Sequence, residues 1–348
     1  MTIAVVVVDD SALVRNVLTD LINRTPDLRV VGTAADPFEA REVIRELDPD
    51  VVTLDVGMPR MDGLAFLERL MRLRPTPVVM VSTRTERGAQ TTMRALELGA
   101  VDFLPKPVLT ARESLEDFTR ELTGKLRVAA RARVGRRTVA PADASGRPDR
   151  VAGPRVVSQR LVAIGASTGG TEAIREVLTA LPATVPGVVI TQHMPPGFTA
   201  SFAARLDGLC AIRVKEAAAG DMILQGHAYI APGGRHLEVE RASGGFIARV
   251  TDGEPVNRHK PSVDVLFRSV ARHAGARATG LMFTGMGGDG AQAMREMRDA
   301  GAYNLVQDEA SCVVFGMPRE AIRAGAADEV VSLSSMASRL LARLATRA

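Results

Sequence analysis

At 348 residues the chain is longer than one ordinary hydrophobic core supports, so two domains are expected. Hydrophobic residues make up 46% of it with a mean hydropathy of +0.07, while aromatics reach only 3% and tryptophan is absent, so its cores must be aliphatic. Cys210 and Cys312 are far apart and lack CxxC spacing, which argues against a disulfide framework or a zinc site.

The chain opens on MTIAVVVVDDSALVRN, where a short apolar run ends at two aspartates, unlike a signal peptide. No run approaches the roughly 20 apolar residues of a membrane span, so a cytoplasmic protein without membrane insertion is expected. Over the first 123 residues strand-like runs alternate with helix-like ones. The strands are TIAVVVVD, LRVVGTA, VVTLD, PVVMVS and AVDFL; the helices are LVRNVLTDLIN, FEAREVIREL, GLAFLERLMRL, GAQTTMRALEL and a fifth at roughly 110–123. Repeated βα units predict a parallel sheet with helices on both faces and a site at the strands' carboxyl ends. Asp9 and Asp10 end the first strand, Asp55 the third and Ser82 the fourth, and Lys106 follows the fifth. Three converging carboxylates repel unless a cation holds them, and oxygen-only ligands suit Mg²⁺. Lys106 and Ser82 would then help neutralise a phosphoryl group on Asp55. Asp10 alone could instead cap the helix starting near Ser11.

VDDSALVR, LDVGMPRMDGL, VMVS and FLPKP resemble the receiver domain of two-component response regulators. The resemblance implies a flavodoxin-like (βα)5 fold with Asp55 as phosphoacceptor. Asp9, Asp10, Asp55 and the Gly57 carbonyl would hold Mg²⁺, with Ser82 and Lys106 on the phosphoryl group. It also implies Phe103 as the switch aromatic and a cis Lys106–Pro107 peptide. Gly57 departs from the Glu usual in the nearest receivers.

Residues 1–123 hold 15 Lys and Arg against 20 Asp and Glu, 124–160 hold 10 against 2, and 161–348 hold 19 against 18. The excess basicity therefore lies in GKLRVAARARVGRRTVAPADASGRPDRVAGPRVVSQR, which reads as a flexible Arg/Ala/Pro-rich linker. The boundaries that follow are a receiver over 1–123, a linker over 124–157 and a catalytic domain over 158–348. That charge distribution gives no reason to expect nucleic-acid binding by either domain.

LVAIGASTGGTE, residues 161–172, is an apolar strand running into a glycine-rich turn and then a helix, with Ser167 at the apex. Glycines on both sides are expected to permit positive φ, and the amides that follow to stabilise an oxyanion. VPGVVITQH places His193 at a second strand end, before MPPG, and ATGLMFTG runs into GMGGDG, which carries Asp289. HLEVERASGGFIARV reads as a β-hairpin, giving the sheet an antiparallel portion. Ser167, His193 and Asp289 thus share a topological address and suit nucleophile, base and orienting acid. Asp289 with Gln292 also matches a capping box, and His227, His236, His259 and His273 stand in less site-like settings. GxSxG at 165–169 suggests an α/β-hydrolase elbow, but the order Ser, His, Asp argues against that fold. GASTGG lacks the Lys of a P-loop, and the second half is too large for a helix-turn-helix output.

IGASTGG, TQHMPPGFTASFAARLD, DGEPVNRHKPSVDVLF, TGMGGDG and QDEASCVVFGMPREAI resemble the protein-glutamate methylesterase (CheB) family of bacterial chemotaxis. The resemblance implies a doubly wound, mainly parallel α/β domain with the triad Ser167, His193 and Asp289 and backbone oxyanion donors at Thr168 and Met286. It implies hydrolysis of glutamate γ-methyl esters on methyl-accepting chemoreceptors, some relatives also deamidating glutamine. No cofactor is implied for that step, and a chemotaxis histidine kinase would be the phosphodonor. The unphosphorylated receiver is expected to cover the esterase crevice.

Overall fold

The structure, a computed structural model, describes residues 2–58, 63–82, 86–106, 112–132, 134 and 156–346. The chain divides into two compact units, Met1–Ala142 and Asp143–Ala348. No helix among the described residues is long and apolar enough to cross a membrane.

The first unit runs β1 Ile3–Val8, α1 Ala12–Asn23, β2 Leu28–Ala34, α2 Pro37–Leu47, β3 Val51–Asp55, α3 Gly63–Leu73, β4 Val78–Ser82, α4 Glu86–Glu97, β5 Asp102–Pro105 and α5 Arg112–Ala129. Its strands pair in parallel in the order β2-β1-β3-β4-β5. β3 and β4 are buried at every position, as covering of both sheet faces requires. The order reverses between β1 and β3, whose carboxyl ends open a crevice. α1 is capped by Ser11, whose hydroxyl accepts from Val14 N–H at 3.4 Å, so Asp10 is not its cap.

α5 continues past residue 123 into the segment read as linker. Leu122, Leu126 and Ala129 recur at helical spacing and are fully buried in the core of the first unit. Full burial of a leucine is worth about 1.5–3 kcal/mol, which holds the helix on despite its arginine-rich flank.

The second unit runs β6 Leu161–Ala166, α6 Gly170–Thr179, β7 Gly187–Gln192, α7 Phe198–Leu209, β8 Arg213–Glu216, β9 His227–Ile230, β10 His236–Ala242, β11 Gly245–Thr251, α8 Val263–His273, β12 Ala278–Met282, α9 Ala291–Asp299, β13 Tyr303–Gln307, α10 Met317–Arg323, β14 Glu329–Val331 and α11 Leu333–Ala345. Seven strands form one sheet in the order β14-β13-β12-β6-β7-β9-β8, with every pairing parallel. The antiparallel hairpin forms where expected but stands as a separate two-stranded sheet of β10 and β11 rather than extending the main one. It is tied to α8, whose Ser269 hydroxyl accepts from Val239 N–H at 2.9 Å. From central β6 the chain winds outward through β7 and later returns to β12 on the other side, so the carboxyl ends of β6, β7 and β12 meet at the sheet's switch point.

Candidate active site

Ser167 follows β6 directly and His193 follows β7. Because Ala166 pairs with Gln192, the two loops start side by side, and His193 N–H donates to the Ala166 carbonyl at 3.1 Å. Gln192 fastens them: its Nε2 donates to the carbonyls of Ser167 at 2.9 Å and His193 at 3.1 Å. On the other side, Ser167 N–H donates to the Thr284 carbonyl at 3.1 Å, past the end of β12. A Cβ at Gly285 would lie 2.8 Å from Ser167 Cβ and 2.3 Å from Met317 Sδ, so the segment carrying Met286 packs directly on the serine. Of the glycines flanking Ser167, only Gly169 takes a positive φ, of 77°. Gly165 is required for space instead, since a Cβ there would meet Val263 at 2.3 Å.

Asp289 lies in the turn before α9 but does not cap that helix, whose N-cap is Gly290. Its carboxylate reaches the start of α8 instead. Oδ2 accepts from Val263 N–H at 2.6 Å and from His193 Nε2 at 2.8 Å. Oδ1 accepts from Asn257 Nδ2 at 2.7 Å and the Ser262 hydroxyl at 2.8 Å. Asp264 reciprocates from α8, its Oδ1 accepting from Gly290 N–H at 3.1 Å and Ala293 N–H at 3.2 Å. Each carboxylate thus answers the orphan amides and positive dipole end of the other's helix. Burial opposes the charge on Asp289, but the hydrogen bonds from His193, Asn257 and Ser262 outweigh it and hold the carboxyl well below the usual range.

This network assigns the imidazole proton to Nε2 and leaves the lone pair on Nδ1, which is buried and has no hydrogen-bond partner among the described residues. The Ser167 hydroxyl is not hydrogen-bonded to the ring either. Of the three groups expected to join in one chain, the fold links His193 to Asp289 and leaves the serine adjacent but unlinked. Such contacts commonly tighten only when substrate is bound. Thr168 is buried behind the serine, and Met286 is exposed beside it.

In the first unit, Lys106 Nζ lies 2.8 Å from Asp9 Oδ2 and 2.8 Å from Asp55 Oδ2. Ligand oxygens of Asp9, Asp10 and Asp55 all lie within 4.8 Å of one another. Burial raises the Asp9 pKa, helped by the Asp55 charge and opposed by Lys106. Burial disfavours the Lys106 charge, but hydrogen bonds to Asp55 and Asp9 win and raise its pKa. Ser82 is buried at the end of β4, its hydroxyl 3.5 Å from the Gly88 carbonyl. Gly57 stands beside Asp55, where a Cβ would lie 3.8 Å from Asp55 Oδ2. Phe103 is buried, with Lys125 Nζ 5.6 Å from its ring centroid. The expected cis peptide at Lys106–Pro107 involves residue 107, outside the described residues.

Two family models match, the CheB methylesterase over residues 162–340 and the response regulator receiver domain over 5–117. A protein-glutamate methylesterase/protein-glutamine glutaminase of Albidiferax ferrireducens is 60% identical over 99% of this chain and 94% of its own length. The chain belongs to the CheB methylesterase family. A protein-glutamate methylesterase/protein-glutamine glutaminase of Nitrosomonas europaea is 58% identical over 98% of this chain and 96% of its own. The crystal structure of the Thermotoga maritima CheB methylesterase catalytic domain superposes with a TM-score of 0.51 at 36% identity, covering 53% of this chain and 98% of that one.

For a CheB-family chain, sequence reasoning from strand ends overlooks three residues of the site. His259, set aside as less site-like, stacks on His193 with ring centroids 3.7 Å apart and planes 9° apart. Asn257 bonds Asp289, and Gln192 ties the serine and histidine loops together. All three lie within the family-like stretches TQHMPPGFTASFAARLD and DGEPVNRHKPSVDVLF, where only Asn257 carries a local signal, as a turn-forming residue.

Proposed function

We propose that the chain hydrolyses glutamate γ-methyl esters on methyl-accepting chemoreceptors, with Ser167 as nucleophile, His193 as base and Asp289 as its orienting acid. The observation that carries this reading is the His193–Asp289 pair, whose unengaged Nδ1 lies in the loop beside Ser167. As Ser167 Oγ forms a bond to the ester carbonyl carbon, its proton passes to His193 Nδ1, and the imidazolium is stabilised by the Asp289 charge. The carbonyl oxygen becomes an oxyanion that accepts from the N–H groups of Thr168 and Met286. Collapse breaks the bond to methoxide, which takes the proton from His193 and leaves as methanol. Water then attacks the acyl-serine with His193 again as base, giving the glutamate carboxylate and restoring Ser167. A glutamine side chain can enter the same sequence with ammonia as leaving group, which accounts for deamidation as a second activity.

The receiver, expected to end at about residue 123 and carried to Ala129 by α5, regulates this activity through phosphorylation of Asp55 by a chemotaxis histidine kinase. The linker, expected from residue 124, then begins after α5 and runs to 157, and 158–348 form the esterase. Asp9, Asp10, Asp55 and the Gly57 carbonyl would hold Mg²⁺, and the clustered carboxylate oxygens with a pKa-raised Asp9 fit a hard divalent cation. The ion would offset charge on the phosphoryl oxygens, while Lys106 and Ser82 contact them from the protein side. The working compartment on this reading is the cytoplasm, where receptor signalling domains and kinase are found together.

The test is methanol release from methylated chemoreceptor membranes by the purified full-length chain, with and without a small-molecule phosphodonor. Release should be stimulated by the phosphodonor in wild type, while Asp55→Asn should retain the basal rate and lose the stimulation. No release by the wild-type chain would refute the proposed activity.

A further inference from the structure

The loop before α8 grips both partners of the His193–Asp289 pair. Residues 256–259 form a two-residue turn closed by hydrogen bonds in both directions, Val256 N–H to the His259 carbonyl at 3.1 Å and His259 N–H to the Val256 carbonyl at 2.9 Å. Both central residues take positive φ, 52° at Asn257 and 68° at Arg258. Asn tolerates that region through its short polar side chain, but Arg does not favour it, so surrounding contacts must hold the turn in place. From one side of this turn Asn257 Nδ2 donates to Asp289 Oδ1 and Asp264 Oδ2, each at 2.7 Å. From its end His259 lays its ring on His193 at 3.7 Å, almost parallel. The two arms of the loop are pinned by buried His236, whose Nε2 bonds the Glu254 carbonyl at 2.9 Å and whose Nδ1 accepts from Ser262 N–H at 3.2 Å.

We infer that the Val256–His259 turn is a positioning device for catalysis: Asn257 fixes the Asp289 carboxylate and His259 fixes the plane of the His193 ring. Among the described residues, Nε2–Asp289 is the one hydrogen bond the imidazole makes, and a single bond at its edge leaves rotation of the ring plane about it to be restrained by packing. A flat partner on its face supplies that restraint and holds Nδ1 toward the serine loop. The Asn257 amide performs the same service for the carboxylate, since it bridges the two acids that answer the starts of α8 and α9. Both residues act through the pair and are placed here as positioning residues, not as groups that touch the reacting atoms. A base misplaced by about 1 Å costs up to about 100-fold in rate without weakening substrate binding.

This inference rests on the triad reading, so the experiment separates the two. Full-length Ser167→Ala, His259→Leu, His259→Phe and Asn257→Gly are compared with wild type for methanol release from methylated receptor membranes, with folding followed by thermal denaturation. Ser167→Ala should be inactive. His259→Leu fills the space without a flat face and should lower kcat about 10- to 100-fold with KM within about twofold. His259→Phe keeps the face and should recover to within about threefold of wild type. Asn257→Gly keeps the positive φ but deletes the amide, and should lower kcat about tenfold. Wild-type kcat in His259→Leu and Asn257→Gly, or equal losses in His259→Leu and His259→Phe, overturns the positioning role. Activity in Ser167→Ala overturns the triad reading itself.

Discussion

Replacing Asp289 by Asn isolates what the negative charge contributes, because the local geometry dictates how the amide must sit. Oδ2 faces Val263 N–H at 2.6 Å, a backbone donor that cannot reorient, as well as His193. Oδ1 faces the Ser262 hydroxyl, which can rotate to accept, and the Asn257 amide, whose Nδ2 would give up this contact while staying on Asp264 Oδ2. The amide oxygen of the variant therefore stays on Val263 and His193, and the imidazole keeps its proton on Nε2. What is lost is attraction between carboxylate and imidazolium, about 4 kcal/mol at 4 Å and an effective dielectric of about 20. Some of this is offset by the surviving neutral hydrogen bond of about 1 kcal/mol. The expected fall in kcat is roughly 10²- to 10³-fold, at about 1.4 kcal/mol per decade. The rearranged donors cost about 2 kcal/mol in stability, a drop of roughly 4–8 °C in Tm for a domain of this size. Methanol release and thermal denaturation read both. Activity above a tenth of wild type would show that the charge is not used, and a loss as complete as removal of Ser167 would show that the amide turns and reverses the tautomer.

Three further outcomes follow from the same geometry. Asp289 has a depressed folded pKa, so it stabilises the native state at every pH above about 3.9, the unfolded value, and loses that contribution only as pH falls toward its folded pKa. Wild type should therefore lose stability more steeply than Asp289→Asn between roughly pH 4 and pH 2, and parallel acid-unfolding curves would contradict this. Gly285→Ala drives a methyl group against Ser167 and Met317, and should cost about 1–3 kcal/mol and at least a tenfold loss of kcat; near wild-type values of both would refute that packing. Cys210 is fully buried and burial pushes the Cys312 thiol up to about 12, so neither should be alkylated in the native protein near pH 8. Rapid labelling of either, located by peptide mass spectrometry, would count against their described surroundings.

Much of this fold was legible because its strands are continuous apolar runs ending in polar or glycine-rich turns, as LVAIGA before Ser167 and VVTLD up to Asp55 illustrate. Strand ends carry site residues in parallel sheets, so Ser167, His193 and Asp289 could be grouped from the chain alone. The end of α5 was hidden because the arginine-rich stretch that follows it dominates the composition of residues 124–160, while Leu126 and Ala129 pack inward. Capping-box spacing offered Asp289 a competing role because that pattern describes a residue's own helix, whereas its carboxylate answers α8, 26 positions earlier. His259 and Asn257 lie in a loop with no hydrophobic period, and their value comes from tertiary contact alone.

The proposed ester hydrolysis runs through one serine hydroxyl. The most direct measurement is methanol release from methylated receptor membranes by full-length Ser167→Ala, checked for an unchanged melting temperature. Release should fall below about one part in a thousand of the wild-type rate, the scale of losing a triad nucleophile. Release within about tenfold of wild type by the folded variant would contradict it.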